Sequence, residues 1–231
     1  MAYSRFWLVV LVLALIGCPV RSGGGGGGGG GTDDDDSADD DDATDDDDAT
    51  GPTFVDTTYC LDWNSVTIVA PGGLTNFLAG LGVSLFDYPI LVSPTSVDVA
   101  AQTIGMLAGA AQNGTCFQDM TANTTDLTAL QLGTYVDPHF DVGPVAFTLN
   151  LGLASPTLYD FEFEGDFTLD ESQIINAVIT GEIDVSAWTS FGACLVFTCN
   201  PCPVGGGSCV SFNGTGGTLN QTAMTGLTPV P

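Results

Sequence analysis

The most regular stretch of this chain alternates apolar and polar residues almost one for one. PVAFTLNLGL (144–153) sets Val145, Phe147, Leu149, Leu151 and Leu153 against small or polar neighbours. TLYDFEFEGDFTL (157–169) sets Tyr159, Phe161, Phe163, Phe167 and Leu169 against Asp160, Glu162, Glu164 and Asp166. IINAVITGEIDVSAW (174–188) puts Ile175, Ala177, Ile179, Ile183 and Val185 on one side. Side chains of a strand point to opposite faces in turn, so this period predicts three half-buried strands. ASP and DESQ supply the turns between them, and a three-stranded antiparallel meander follows. In either plausible register Gly181 falls opposite Phe161 or Phe163, where a ring would cover its bare backbone. On the outer face Asp160 and Glu162 then approach Glu182 or Asp184. Like charges set opposite one another destabilise a sheet, so these four carboxylates are the candidate calcium ligands; a solvated acidic face is the competing reading.

The flanking patterns are less regular. CLDWNSVTIVAP (60–71) and VSLFDYPILVSP (83–94) read as strands, and Pro89 predicts that the second is bent or at a sheet edge. LTNFLAGLG between them is too short to assign. VDVAAQTIGMLAGAAQ (97–112) places Val97, Ala100, Ala101, Ile104, Leu107 and Ala108 at helical spacing, which predicts a helix weakened by its glycines. The whole reads as mainly β: an antiparallel β-sandwich or partly closed barrel with a disulfide-bonded C-terminal loop region.

A different pattern opens the chain. Phe6 to Ile16 is unbroken apolar sequence behind a single charge, Arg5. That is the n-region and h-region of a secretory signal, and it is shorter than the ~20 residues of an ordinary spanning helix. The run ends Leu15-Ile16-Gly17-Cys18, which resembles the lipobox of bacterial lipoproteins. The resemblance implies a diacylglyceryl group on Cys18 and cleavage before it, and hence a membrane partner through the lipid anchor. Ordinary secretion with a cut near Ser22 is the competing reading. Nine glycines follow, residues 23–31. Glycine loses the most backbone entropy on ordering, so this tract is a coil of about 16 Å reach. Then DDDDSA, DDDDAT and DDDDAT carry twelve aspartates between residues 33 and 48. Like charges this close repel and extend the chain. The repeat lacks the glycine turn of a calcium loop, so diffuse counterion binding is expected of it. The organisation predicted is a signal at 1–17, a lipidated cysteine and spacer at 18–52, and one β-rich extracytoplasmic domain at 53–231.

Charge changes the picture further. The net charge is −26, and Arg5 and Arg21 are the only basic residues besides one histidine. From residue 51 onward there are twelve Asp and four Glu and no Lys or Arg. Such a surface repels nucleic acid and anionic lipid, and the missing lysines exclude a Walker phosphate loop, a Schiff base and kinase chemistry.

The seven cysteines are Cys18, Cys60, Cys116, Cys194, Cys199, Cys202 and Cys209. Lipidation of Cys18 leaves six, enough for three disulfides. Cys60 with Cys116 is one pairing, with the C-terminal four joining among themselves. A four-thiolate zinc site competes, but it favours paired CxxC knuckles and only one CxxC is present, and exported cysteines oxidise. A redox role for Cys199 and Cys202 is disfavoured by the surrounding prolines and glycines. GPVAFTLNL, LYDFEFEGDFTLDESQIINAVITGEID and C-x4-CxxC-P-x-GGG-x-C together resemble a group of lipoproteins from large-genome bacteria of the myxobacterial type. That resemblance implies a lipobox, an acidic spacer, a β meander and a terminal cysteine cluster, and it implies no activity.

His139, in VDPHFD, has no GxSxG serine to serve and reads as a loop histidine. Asn113, Asn123, Asn213 and Asn220 open Asn-x-Thr triplets, which mark exposed turns. The expectation is an outer-membrane or cell-surface lipoprotein displaying a β-rich domain, with a structural or interaction role and no catalysis. A calcium- or small-ligand-binding β domain and a secreted hydrolase are the alternatives.

Overall fold

The computed structural model describes residues 52–84, 87–149, 151 and 155–231. The signal, Cys18, the glycine tract and the aspartate repeats lie outside the described residues. All described residues belong to one compact unit, Asp48–Pro231.

The three predicted meander strands are present as β7 (His139–Thr148), β8 (Thr157–Phe167) and β9 (Gln173–Asp184). They form one wall of a closed eight-stranded antiparallel barrel. Its other strands are β1 (Thr57–Asp62), β3 (Ile90–Asp98), β4 (Thr103–Ala110), β6 (Gly133–Val136) and β11 (Ser208–Thr225). Around the barrel the order is β1-β3-β4-β6-β7-β8-β9-β11, and β11 closes on β1 through Cys60↔Asn220 and Leu61↔Leu219. Closure leaves the barrel strands no free edge, so the barrel, rather than the sandwich, is the architecture. Two short strands, β2 (Thr67–Ala70) and β10 (Asn200–Pro201), pair with β11 outside the ring, and β5 (Thr125–Asp126) pairs with β4.

The lumen is a packed core, because the inward positions are bulky and aromatic. Phe140, Phe147, Phe161, Phe163 and Phe167 are each 3 % exposed or less. Burying one such ring contributes about 1.5–3 kcal/mol. At one end Phe54 stacks on Phe167 at 4.0 Å, with the Tyr59 and Tyr135 rings edge-on to Phe167. At the other, Phe77 of helix α1 (Leu74–Gly80) meets Trp188 and Phe197 edge-on. The LTNFLAG segment is thus a helix that covers a barrel end.

Two bulges shift the inside–outside phase that strict alternation predicts. Tyr159 pairs with Glu182 and Glu162 with Thr180, so Asp160 and Phe161 together oppose Gly181. Asp160 takes φ +49° there, a left-handed conformation that Asp tolerates better than most residues. Leu158 is therefore buried and Tyr159 half-buried, and Leu169 lies past the strand in the turn, fully exposed. The same device recurs on the partner strand: Asn176, at φ +54°, and Ala177 oppose Gly165. That shift buries Ile174 where Ile175 was predicted to face the core. Gly181 does sit across from Phe161, but backbone atoms crowd it. The ring over a glycine is found one strand pair away, with Phe140 Cζ 3.3 Å from where a Gly165 Cβ would stand.

The helix predicted over 97–112 is replaced by the end of β3, a turn, and β4. β4 is covered on both faces. Ile104, Met106 and Ala108 point into the lumen, while Leu107 packs outside against a second cluster of Cys60, Leu91, Ala111 and Leu227. A strand buried on both faces loses its polar alternation, and its apolar residues then fall at helical spacing by accident. Pro89 precedes β3 rather than bending it, and β3 lies between β1 and β4, away from any edge.

Candidate functional site

Each predicted disulfide cysteine in the described residues is paired. Cys60–Cys116 spans 56 residues, and Cys194–Cys199 and Cys202–Cys209 close loops of 5 and 7. These pairings remove the four thiolates that a zinc site would need, and they rule out a free CxxC dithiol at Cys199 and Cys202. Helix α2 (Ala193–Val196) and β10 carry the C-terminal pairs at the margin of β11.

The four candidate calcium ligands are not brought together. Glu182 faces Tyr159 on one side and Ser211 on the other, and Asp184 faces Cys209. The Asp184 carboxylate accepts the Ser186 N–H at 2.8 Å, while Glu162 accepts from the Thr180 hydroxyl at 3.3 Å. The bulge at Asp160 is the physical reason: it separates Asp160 and Glu162 from the positions opposite Glu182 and Asp184. Among the described residues no group of three His, Cys, Asp or Glu side chains is arranged to hold a metal ion. What the register does oppose is Asp141 and Glu164, across β7 and β8. With Glu162, Val178 and Thr180 they rim a shallow depression of about 100 Å³. The outer wall of β7–β9 is an acidic face.

His139 opens β7 rather than lying in a loop. Its Nδ1 is 2.9 Å from Asp166 Oδ1, and a carboxylate can only accept, so Nδ1 carries the hydrogen. Asn176 Nδ2 donates to Asp166 Oδ2 at 2.9 Å. The Asn176 hydrogen bond, followed by that of His139, holds the Asp166 carboxyl below the usual carboxylate range. The bulge that turns Asn176 outward thereby links the two hairpin strands on the outer surface. Nearer the lumen, burial and then the Glu171 and Asp170 charges push the Tyr59 phenol up, and its hydroxyl donates to the Glu171 carbonyl at 2.7 Å.

A larger feature escaped the sequence pattern: an apolar cleft of about 460 Å³ on the outer face. Its floor is β1 at Cys60–Asp62 and β11 at Asn220–Thr222, and its sides are Trp63, Pro89, the Cys116–Phe117 segment and Met224. Residues from four separate stretches of chain meet there. The Cys60–Cys116 bridge is the one sequence signal that joins two of them.

No family model, no curated protein and no solved structure matches this chain.

Proposed function

We propose that this chain is a lipid-anchored cell-envelope protein that displays an acidic, disulfide-bonded β-barrel at the end of a charged spacer. The observation that carries the reading is the cysteine balance. Seven cysteines are present, and the six in the barrel domain pair off completely. Cys18, directly behind the apolar leader run, is the odd one, and lipidation gives it a use. Disulfides also suit an oxidising compartment outside the cytoplasm. The spacer supports the same reading: nine glycines make a flexible joint, and twelve aspartates make a self-extending stalk.

The domain's role in this reading is structural or interactive, and it carries no catalysis. Its surface supplies acids without a lysine or arginine to act as a phosphate or oxyanion donor. Membership of the myxobacterial-type lipoproteins that the sequence resembles belongs to the same proposal. Labelled palmitate fed to cells expressing the full chain tests it. Label must enter the wild-type protein and be absent from a Cys18→Ser variant; equal labelling of the two, or none in either, overturns the anchor.

A further inference from the structure

The cleft beside the Cys60–Cys116 disulfide has three properties that a solvated barrel wall does not require. First, it is held open before any ligand arrives. The disulfide ties the Cys116–Phe117 segment to the floor strand, and the Trp63 indole N–H donates to the Tyr88 carbonyl at 3.0 Å, fixing a second lining residue. Second, it exposes large apolar surface. The Phe117 ring is 63 % exposed and stands with Met224 and the disulfide sulfurs along one apolar surface. A volume of about 460 Å³ lies within the range of small-molecule sites, which are mostly apolar with a few placed polar groups. Third, a carboxylate stands among the lining residues. Asp62 Oδ1 accepts from the Asn64 N–H and Nδ2 at 2.9 and 3.0 Å, and Oδ2 has no hydrogen-bond partner among the described residues.

Among the described residues there is no lysine or arginine to neutralise Asp62. The one histidine is engaged with Asp166. The described residues therefore supply no cation to this site. We infer that the cleft binds a small molecule with an aromatic body and a protonated amine, the body against Phe117 and Met224 and the amine on Asp62. Thioether and disulfide sulfur both make favourable contacts with aromatic rings, which favours an aromatic body over an aliphatic one. An anionic ligand is disfavoured by the same carboxylate and by the domain's one-sided charge. This site stands whether or not the chain is lipid-anchored.

The test uses methyl-labelled methionine and 2-phenylethylammonium as the probe, with the disulfides intact. Met224 lines the cleft, Met106 is fully buried in the lumen, and Met120 is exposed elsewhere. Saturable movement of the Met224 methyl signal, with Met106 and Met120 unmoved, is expected at millimolar probe. Asp62→Asn keeps an oxygen for the Asn64 N–H, so the local turn survives. Asp62 is exposed, so this is expected to weaken binding about two- to fivefold, the worth of an exposed ion pair. Neutral 2-phenylethanol is expected to bind weaker by a similar factor, and Phe117→Ala to remove saturation while Met106 stays in place. Equal movement of Met120 and Met224, no saturable shift at Met224, or equal affinity for the alcohol and the amine overturns the site.

Discussion

Gly181→Ala is the sharpest probe of how this barrel is bent. The residue has φ +152°, which L side chains rarely adopt, and a Cβ there would lie 2.9 Å from the Tyr159 carbonyl oxygen and 3.3 Å from Phe161 Cα. Both neighbours are backbone atoms of the Asp160 bulge, so neither can rotate away. Forcing a non-glycine residue into such a conformation costs about 1–3 kcal/mol, and the backbone contact adds to it. Alanine also stiffens the unfolded chain, which returns about 0.4–1 kcal/mol. The net loss is about 2–3 kcal/mol, or a Tm lower by about 5–10 °C for a domain of this size. Gly72→Ala is the control: nothing lies within 4 Å of its Cβ position and its φ is not positive. It should stay within about 0.5 kcal/mol of wild type. Calorimetry of both variants with the disulfides intact gives the answer. If Gly181→Ala melts no lower than Gly72→Ala, then β8 and β9 pair without the bulge and the inside–outside assignment of Leu158 and Tyr159 is wrong.

Three further outcomes follow from the same structure. Replacing both Cys60 and Cys116 by Ala should destabilise by about 4 kcal/mol, against about 2 for the Cys194–Cys199 pair, because the loops they close span 56 and 5 residues; equal losses in urea unfolding would contradict this. Raising salt from low ionic strength should raise Tm, since the domain carries sixteen carboxylates and no lysine or arginine of its own; a fall in Tm across a sodium chloride series would refute the repulsion argument. Asp166 ionises below its ordinary 3.8 in the native state, so its contribution is present above that value and lost as pH falls through the lower native one. The stability gap between wild type and Asp166→Ala should therefore be under about 1 kcal/mol at pH 6 and shrink below pH 4, as read by urea midpoints; a gap that widens on acidification would refute the sign.

Much of the fold was legible where one face of a strand meets water. β8 and β9 stand close to where period-2 alternation put them, because their outer faces are acidic and their inner faces apolar, while β7 (His139–Thr148) begins and ends five residues before the predicted 144–153. The register within them was less legible, since a bulge needs only one left-handed Asp or Asn and leaves no apolar signal. β4 misled the reading for the opposite reason: with Leu107 covered outside and Met106 inside, no polar face remained to set the period. β11, the strand that closes the barrel, is rich in Gly, Thr and Asn and offers too few apolar side chains to register as a strand. Its partners supply the burial. The candidate cleft was hidden because Asp62, Pro89, Phe117 and Met224 are distant in sequence and meet only once β11 closes on β1. The cysteines were the exception, since their number and grouping pointed to three bridges before any geometry was known.

The most direct test of the central claim is an intact, non-reduced mass of the protein from its native membrane fraction. The account predicts an N-terminus at Cys18 carrying acyl chains, on a polypeptide six hydrogens lighter than its fully reduced form. An unmodified or missing Cys18, or six free thiols in the barrel domain, would contradict it.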